Sequence, residues 1–275
     1  MEGRTRMKRL LVMFAMLAAV LFTAAPAQAI TNGQPDNGRH PYVGLAVFDT
    51  LVNGVATPSW RCSGTLLSPT VFLTAGHCTS GAVAARVWFA DNVQTNTQYP
   101  FGGTTSYEGV PHTYPGYCDS PCGPGLPRFA QFDVGVIVLT ESVPTSVVST
   151  YGQLPTAGLV DTLATGTGVS LVGYGVQQQI RGGGPPSWTG PRIRMFAPTE
   201  VVSGSFTHSD VFLRTRANPG GGSGGTCFGD SGGPILLGNT VLAVNSYVTN
   251  SNCSGVTYAS RVDLAPVLRW IRSFL

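Results

Sequence analysis

From residue 42 onward the chain is a series of short, strand-like apolar runs alternating with turn signals. "YVGLAVF" (42–48), "SGTLLS" (63–68), "VFLTA" (71–75), "ARVWFA" (85–90) and "FDVGVIVL" (132–139) fall in the first half. "VSLVGYGV" (169–176), "VFLRTR" (211–216), "GGPILL" (232–237) and "TVLAVNSYV" (240–248) fall in the second. Runs this short, separated by turn residues, read as strands of a sandwich or barrel rather than as alternating strand and helix. Residues 141–160 have no regular period and could join two halves. One helical pattern closes the chain, "DLAPVLRWIRSFL" (263–275). Asp263 stands as its cap, and Leu264, Val267, Leu268, Ile271 and Leu275 form its apolar stripe.

Ahead of the strands lies a secretory pattern. Arg4, Arg6, Lys8 and Arg9 precede an almost wholly apolar stretch over 10–25, and Ala27-Gln28-Ala29 supplies a small-x-small cleavage site. The stretch is short for a membrane span and runs at once into turn-rich sequence. The expectation is a signal peptide over residues 1–29 and an extracellular product beginning Ile30-Thr31-Asn32-Gly33. Removing it takes away four of the 16 Lys+Arg residues and one of the 13 Asp+Glu residues, leaving 12 of each. A nearly neutral product offers no basic surface for nucleic acid or acidic lipid. All six cysteines remain. An even count in an exported chain suggests three disulfides, although spacing leaves the pairing open. A zinc site is the competing use of cysteine, but no two-by-two Cys/His pattern is present.

Three segments are loops by composition: 102–128, 181–191 and 218–225. The last leads into "TCFGDSGGPI" (226–235). A serine between glycines is often only a tight turn. Glycine also permits backbone angles that set two amide N–H groups on one side of a serine oxygen, where they can stabilise an oxyanion. The same residues fit the G-x-S-x-G elbow of α/β-hydrolases, but that arrangement needs a histidine after the serine. The last histidine is His208, so a base for Ser231 must lie among His40, His77, His112 and His208. His77 stands in "SGTLLSPTVFLTAGHC" (63–78), between Cys62 and Cys78. A bridge between those cysteines would pin the loop that carries the imidazole, and a base must stay within hydrogen-bond reach of its hydroxyl.

Taken in order, these motifs resemble the trypsin/chymotrypsin-type serine proteases from Ile30 to the terminal helix. "TAGHC" is similar to the family's histidine motif, "FDVGVIVL" to its aspartate motif and "GDSGGP" to its serine motif. "NSYV" resembles the substrate-lining strand and "RVDLAPVLRWI" the closing helix. The resemblance implies an all-β fold of two antiparallel six-stranded β-barrels around a cleft, with a C-terminal helix. The first barrel would span 30–145, and the second, with the helix, 146–275.

The resemblance further implies a triad of His77, Asp133 and Ser231, with Asp91 and Asp119 as rivals for the aspartate, and an oxyanion hole from the amides of Gly229 and Ser231. A fresh Ile30 amino terminus would pair with Asp230 and hold the serine loop in its active shape. Cutting after Ala29 would then itself activate the enzyme, with no pro-segment between. Cys227 and Cys253 resemble the pair tying the serine loop to the pocket wall, which leaves Cys118 with Cys122. His40, His112 and His208 receive no catalytic role.

In the same terms Gly225 and Thr226 lie at the base of the primary pocket, and Ser246, Tyr247 and Val248 form its wall. With no acidic residue at the base and Val248 narrowing the slot, small to medium aliphatic side chains are expected rather than Arg or Lys, with an aromatic preference as the open alternative. Polypeptide substrates are the expected partners, with protein protease inhibitors as a second class. No cofactor, metal, nucleic acid or, after signal removal, membrane is expected, and the chain is expected to be a monomer. The competing reading is a catalytically silent binding protein on the same fold.

Overall fold

The computed structural model describes residues 30–275 apart from 31, 120–121, 123–129, 177, 181–186, 203–209, 219–222 and 249–252. The expected signal segment, His208 and residues 120–121, 123–128, 181–186 and 219–222 of the expected loops lie outside the described residues, and the expected 102–128 loop is corrected in that residues 107–113 are a barrel strand. The first half is a closed antiparallel barrel in the order β2–β3–β4–β7–β6–β5. Its strands are β2 (Val43–Val52), β3 (Val55–Ser68), β4 (Val71–Thr74), β5 (Ala84–Trp88), β6 (Tyr107–Thr113) and β7 (Gly135–Leu139). Phe48, Leu66, Phe72, Leu73, Trp88 and Ile137 are fully buried there, which is why the runs read from sequence are apolar along most of their length.

The second half is built from β8 (Gly168–Gly173), β11 (Met195–Glu200), β12 (Phe212–Ala217), β13 (Pro234–Leu237), β14 (Thr240–Val248) and β15 (Gly255–Arg261). They form an antiparallel sheet in the order β11–β8–β13–β14–β15–β12, and its outer strands meet through the isolated bridge Val201–Thr215. One bridge, rather than a full ladder, joins the ends of this second barrel. A seventh strand, β1 (Gln34–Pro35), extends the sheet by pairing with β11, although it precedes the first barrel in sequence. A separate hairpin pairs β9 (Gln178–Ile180) with β10 (Ser187–Thr189), so the end of the expected 181–191 loop is strand instead.

A buried arginine ties the halves together. Arg194, just before β11, donates to Asp36 (2.9 Å) and to the carbonyls of Val43 and Phe89 (both 2.9 Å), and also pairs with Asp91. Asp36 in turn holds His40 Nδ1 at 2.5 Å. Removing one partner from such a set leaves an uncompensated buried charge, which costs about 3–5 kcal/mol.

The terminal helix runs over Ala265–Arg272, with Val267, Leu268 and Ile271 buried. The expected cap is corrected: Leu264 holds the N-cap position, with no side-chain cap bond. The carboxylate of Asp263 is turned instead to Arg261 (2.8 and 2.9 Å) and to the amide of Val160 (2.9 Å). A charge-assisted bidentate pair inside the protein outweighs a cap at the surface. Leu275 lies beyond the helix and is exposed, so it leaves the expected stripe. No helix among the described residues is long and apolar enough to cross a membrane.

Candidate active site

The register of the first barrel brings a histidine to an aspartate. β4 pairs with β7 so that Thr74 faces Gly135. Just beyond β4 the chain turns into a single helical turn, α1 (Gly76–Thr79), which carries His77. Just before β7 stands Asp133, after Phe132 at a left-handed φ of 50°. The fully buried Asp133 accepts the backbone amide of His77 (2.7 Å), His77 Nδ1 (2.7 Å) and the hydroxyl of Ser246 (2.6 Å). Burial would raise its carboxyl, but the facing imidazole and these donors hold it below the usual range. Burial likewise works to lower His77, and the charge of Asp133 overrides it, raising the imidazole above its ordinary value. The His77 side chain is 35% exposed, so one edge of the ring is open to the cleft. The disulfide Cys62–Cys78 flanks it. Cys62, His77 and Cys78 bring potential ligand atoms within 4.8 Å of one another, but both sulfurs are spent in that bridge.

Ser231 comes from the loop before β13, and its backbone is fixed on both sides. Its carbonyl accepts Ser63 N (2.8 Å), Gly232 N donates to Asn245 O (2.7 Å), and Gly233 N donates to Asp230 O (2.9 Å). Gly229 sits at φ +94°, a conformation costly for any residue with a side chain. Among the described residues, the amides of Gly229 and Ser231 have no acceptor. Two amides left without acceptors beside a serine can receive an oxyanion.

Asp230 is fully buried behind this loop and accepts Gly175 N (2.8 Å), Cys227 N (2.9 Å) and the backbone amide of Ile30. A Cβ on Gly175 would stand 2.4 Å from the Asp230 carboxylate, so that approach requires glycine. Burial pushes the Asp230 carboxyl up to about 7, against the backbone donors and the charge of Arg61. Ile30 is itself wholly buried in the second core.

Ser231 borders two cavities. One, of about 180 Å3, is lined by Thr226, Phe228, Asn245, Ser246, Tyr247 and Val248 and by Cys227. The other, of about 330 Å3, lies on the His77 side with Trp60, Arg61, Cys62 and Ser80. Of the expected pocket residues, Thr226, Ser246, Tyr247 and Val248 line the first cavity, whereas the buried Gly225 does not. Thr226 faces Thr257, with hydroxyls 3.2 Å apart. Tyr247 stacks on Tyr258, with centroids 4.8 Å apart. A register shift between Asn245 and Tyr247 lets the Ser246 hydroxyl reach Asp133.

Phe228 and this second contact of Ser246 escaped the sequence reading; bulges and folded-back loops leave no periodic signal. The remaining bridges are Cys227–Cys253 and Cys118–Cys122. His40 is engaged with Asp36, the His112 ring packs on Phe274, and Asp91 pairs with Arg194. Asp119 is exposed, and its charge adds to that of Asp133 in raising His77.

Comparison with known proteins agrees with this architecture. A family model described as Trypsin matches residues 30–271. "Serine protease 1" of Drosophila melanogaster is 26% identical over 88% of this chain and 84% of its own length. "Chymotrypsin-like elastase family member 1" of Bos taurus is 27% identical over 71% and 72%. A solved collagenase structure superposes with a TM-score of 0.62 at 21% identity, covering 86% of this chain and 94% of that one. At that identity the superposition speaks for the fold alone.

Proposed function

The chain belongs to the trypsin family of serine endopeptidases, and on that premise we propose that it cleaves polypeptides after small to medium apolar residues through Ser231, His77 and Asp133. The observation that carries this reading is the hydrogen-bonded line from Ser246 through Asp133 to His77, opening onto a cleft that Ser231 also borders. Ser231 Oγ attacks the scissile carbonyl while His77 Nε2 takes its proton, and the oxyanion settles between the amides of Gly229 and Ser231. His77 then protonates the departing amine, leaving an acyl-enzyme that water hydrolyses with the same base. Asp133 keeps the Nδ1–H tautomer in place and stabilises the imidazolium.

The residue before the scissile bond enters the smaller cavity. No charged side chain is among its described lining residues, and Tyr247, Val248 and Phe228 give it apolar walls, which supports an aliphatic preference over Arg or Lys. The chain is exported, and cutting after Ala29 gives Ile30 an ammonium group that pairs with Asp230. The depth at which Ile30 lies, with its amide already on that carboxylate, supports this.

The test is cleavage of peptide amides carrying Ala, Val, Leu, Phe, Arg or Lys before the scissile bond, by chain beginning at Ile30 and by Ser231→Ala. Cleavage after Val or Leu that vanishes in the variant is expected. An Arg or Lys preference overturns the pocket assignment, and no cleavage by folded protein favours the silent binding reading.

A further inference from the structure

The larger cavity beside Ser231 holds an unused cation. Arg61 lies on β3 opposite Val47, one residue before the disulfide that flanks His77. It lines the cleft shared by His77 and Ser231, and also the adjoining groove with Trp60, Tyr99 and Pro100. The strand is anchored to the site, because Ser63 N donates to Ser231 O at 2.8 Å and Ser63 Oγ to Gly229 O at 2.9 Å. The guanidinium passes close to Gly229, with Nε 3.6 Å from where a Cβ on that residue would stand. Among the described residues Arg61 forms no ion pair. The carboxylate that feels its charge, Asp230, is fully buried behind the serine loop. Among the described residues lining this cleft, Arg61 is the one that carries a permanent charge.

Which part of a substrate meets it follows from the proton transfer proposed above, on which this inference rests. His77 must hand its proton to the departing amine. His77 lines this cleft and not the smaller cavity. The amine, and the residues that follow it, therefore leave along the wall that carries Arg61. We propose that Arg61 selects substrates with an acidic side chain within the first two residues after the scissile bond. A planar guanidinium can donate two parallel N–H bonds to a carboxylate. The walls of the cleft screen such a pair less than open water does.

The experiment uses chain beginning at Ile30 and peptides that are identical up to the scissile bond, with Glu, Gln or Lys placed first or second after it. Wild type is expected to favour Glu over Gln by about 3- to 10-fold in kcat/KM, with Lys poorest, and the ratio should shrink as salt is raised. Arg61→Lys should keep the preference, Arg61→Gln should bring the Glu/Gln ratio to about one, and Arg61→Glu should favour Lys. Using the ratio cancels any general effect of Arg61 on the nearby serine loop. A wild-type ratio near one, or a Glu preference that survives in Arg61→Gln, overturns the proposal while leaving the protease reading intact. Wild type that cleaves no peptide overturns the protease reading instead. Arg61 is then judged by titrating Ser231→Ala with the same peptides: tighter binding of the Glu series supports it, and equal binding overturns it.

Discussion

Ser246 Oγ and His77 Nδ1 meet on one oxygen of Asp133, at 2.6 and 2.7 Å. The carboxylate is therefore clamped from both barrels, β14 supplying the hydroxyl and the turn after β4 the imidazole. Ser246→Ala removes a hydrogen bond to a buried charge, a contact worth about 1.5–3 kcal/mol. The expected result is a loss of about tenfold or more in kcat/KM on an amide substrate, with the protein still folded by circular dichroism.

His77 must be neutral to accept the proton of Ser231. Asp133 raises the imidazole above its ordinary value, so activity should fall as pH drops through that raised value, above the usual histidine range. Asp133→Asn removes the charge that raises it. The acid limb of the kcat/KM profile should then move to lower pH, with an overall loss of about 10^4-fold. A limb that stays in place would show that a different group titrates there.

Asp230 gives a pH dependence of stability with the opposite sign from an ordinary salt-bridged carboxylate. In the uncut chain its carboxyl is raised from 3.8 to about 7, so the folded form holds a proton that the unfolded form has released. Stability conferred at low pH should be lost as pH rises from about 4 to about 7, by about 4 kcal/mol in all. A chain retaining Gln28-Ala29 ahead of Ile30 should show this slope in thermal melts. A chain beginning at Ile30 should not, because its ammonium stabilises the ionised carboxylate.

Val248 lines the smaller cavity and pairs with Thr257 across the β14–β15 ladder, and Thr257 in turn contacts Thr226. Val248→Gly should open that wall and raise kcat/KM for Phe over Val before the scissile bond by about 10-fold or more, the scale of a few methylenes in an apolar pocket. The peptide panel reads this directly.

What could be read from sequence was local. The strands around Phe72 and Ile137, and the motifs holding His77, Asp133 and Ser231, are contiguous stretches whose composition carries their meaning. Features that depend on distant residues were not legible. Asp263 looked like a cap because nothing adjacent shows that it pairs with the buried Arg261, which also reaches the exposed Asp161, 100 residues away. The tie from Arg194 to Asp36 spans 158 positions. The crossing of β1 into the second sheet has the same character, since a two-residue strand leaves no pattern.

The most direct test of the central claim is the mass of chain beginning at Ile30 after exposure to a serine-directed phosphonate ester, with peptide mapping of the adduct. The account predicts one adduct, on Ser231, formed rapidly in wild type and very slowly in His77→Ala. A folded wild type that takes up no phosphonate, takes it up elsewhere, or reacts equally fast without His77 would contradict it.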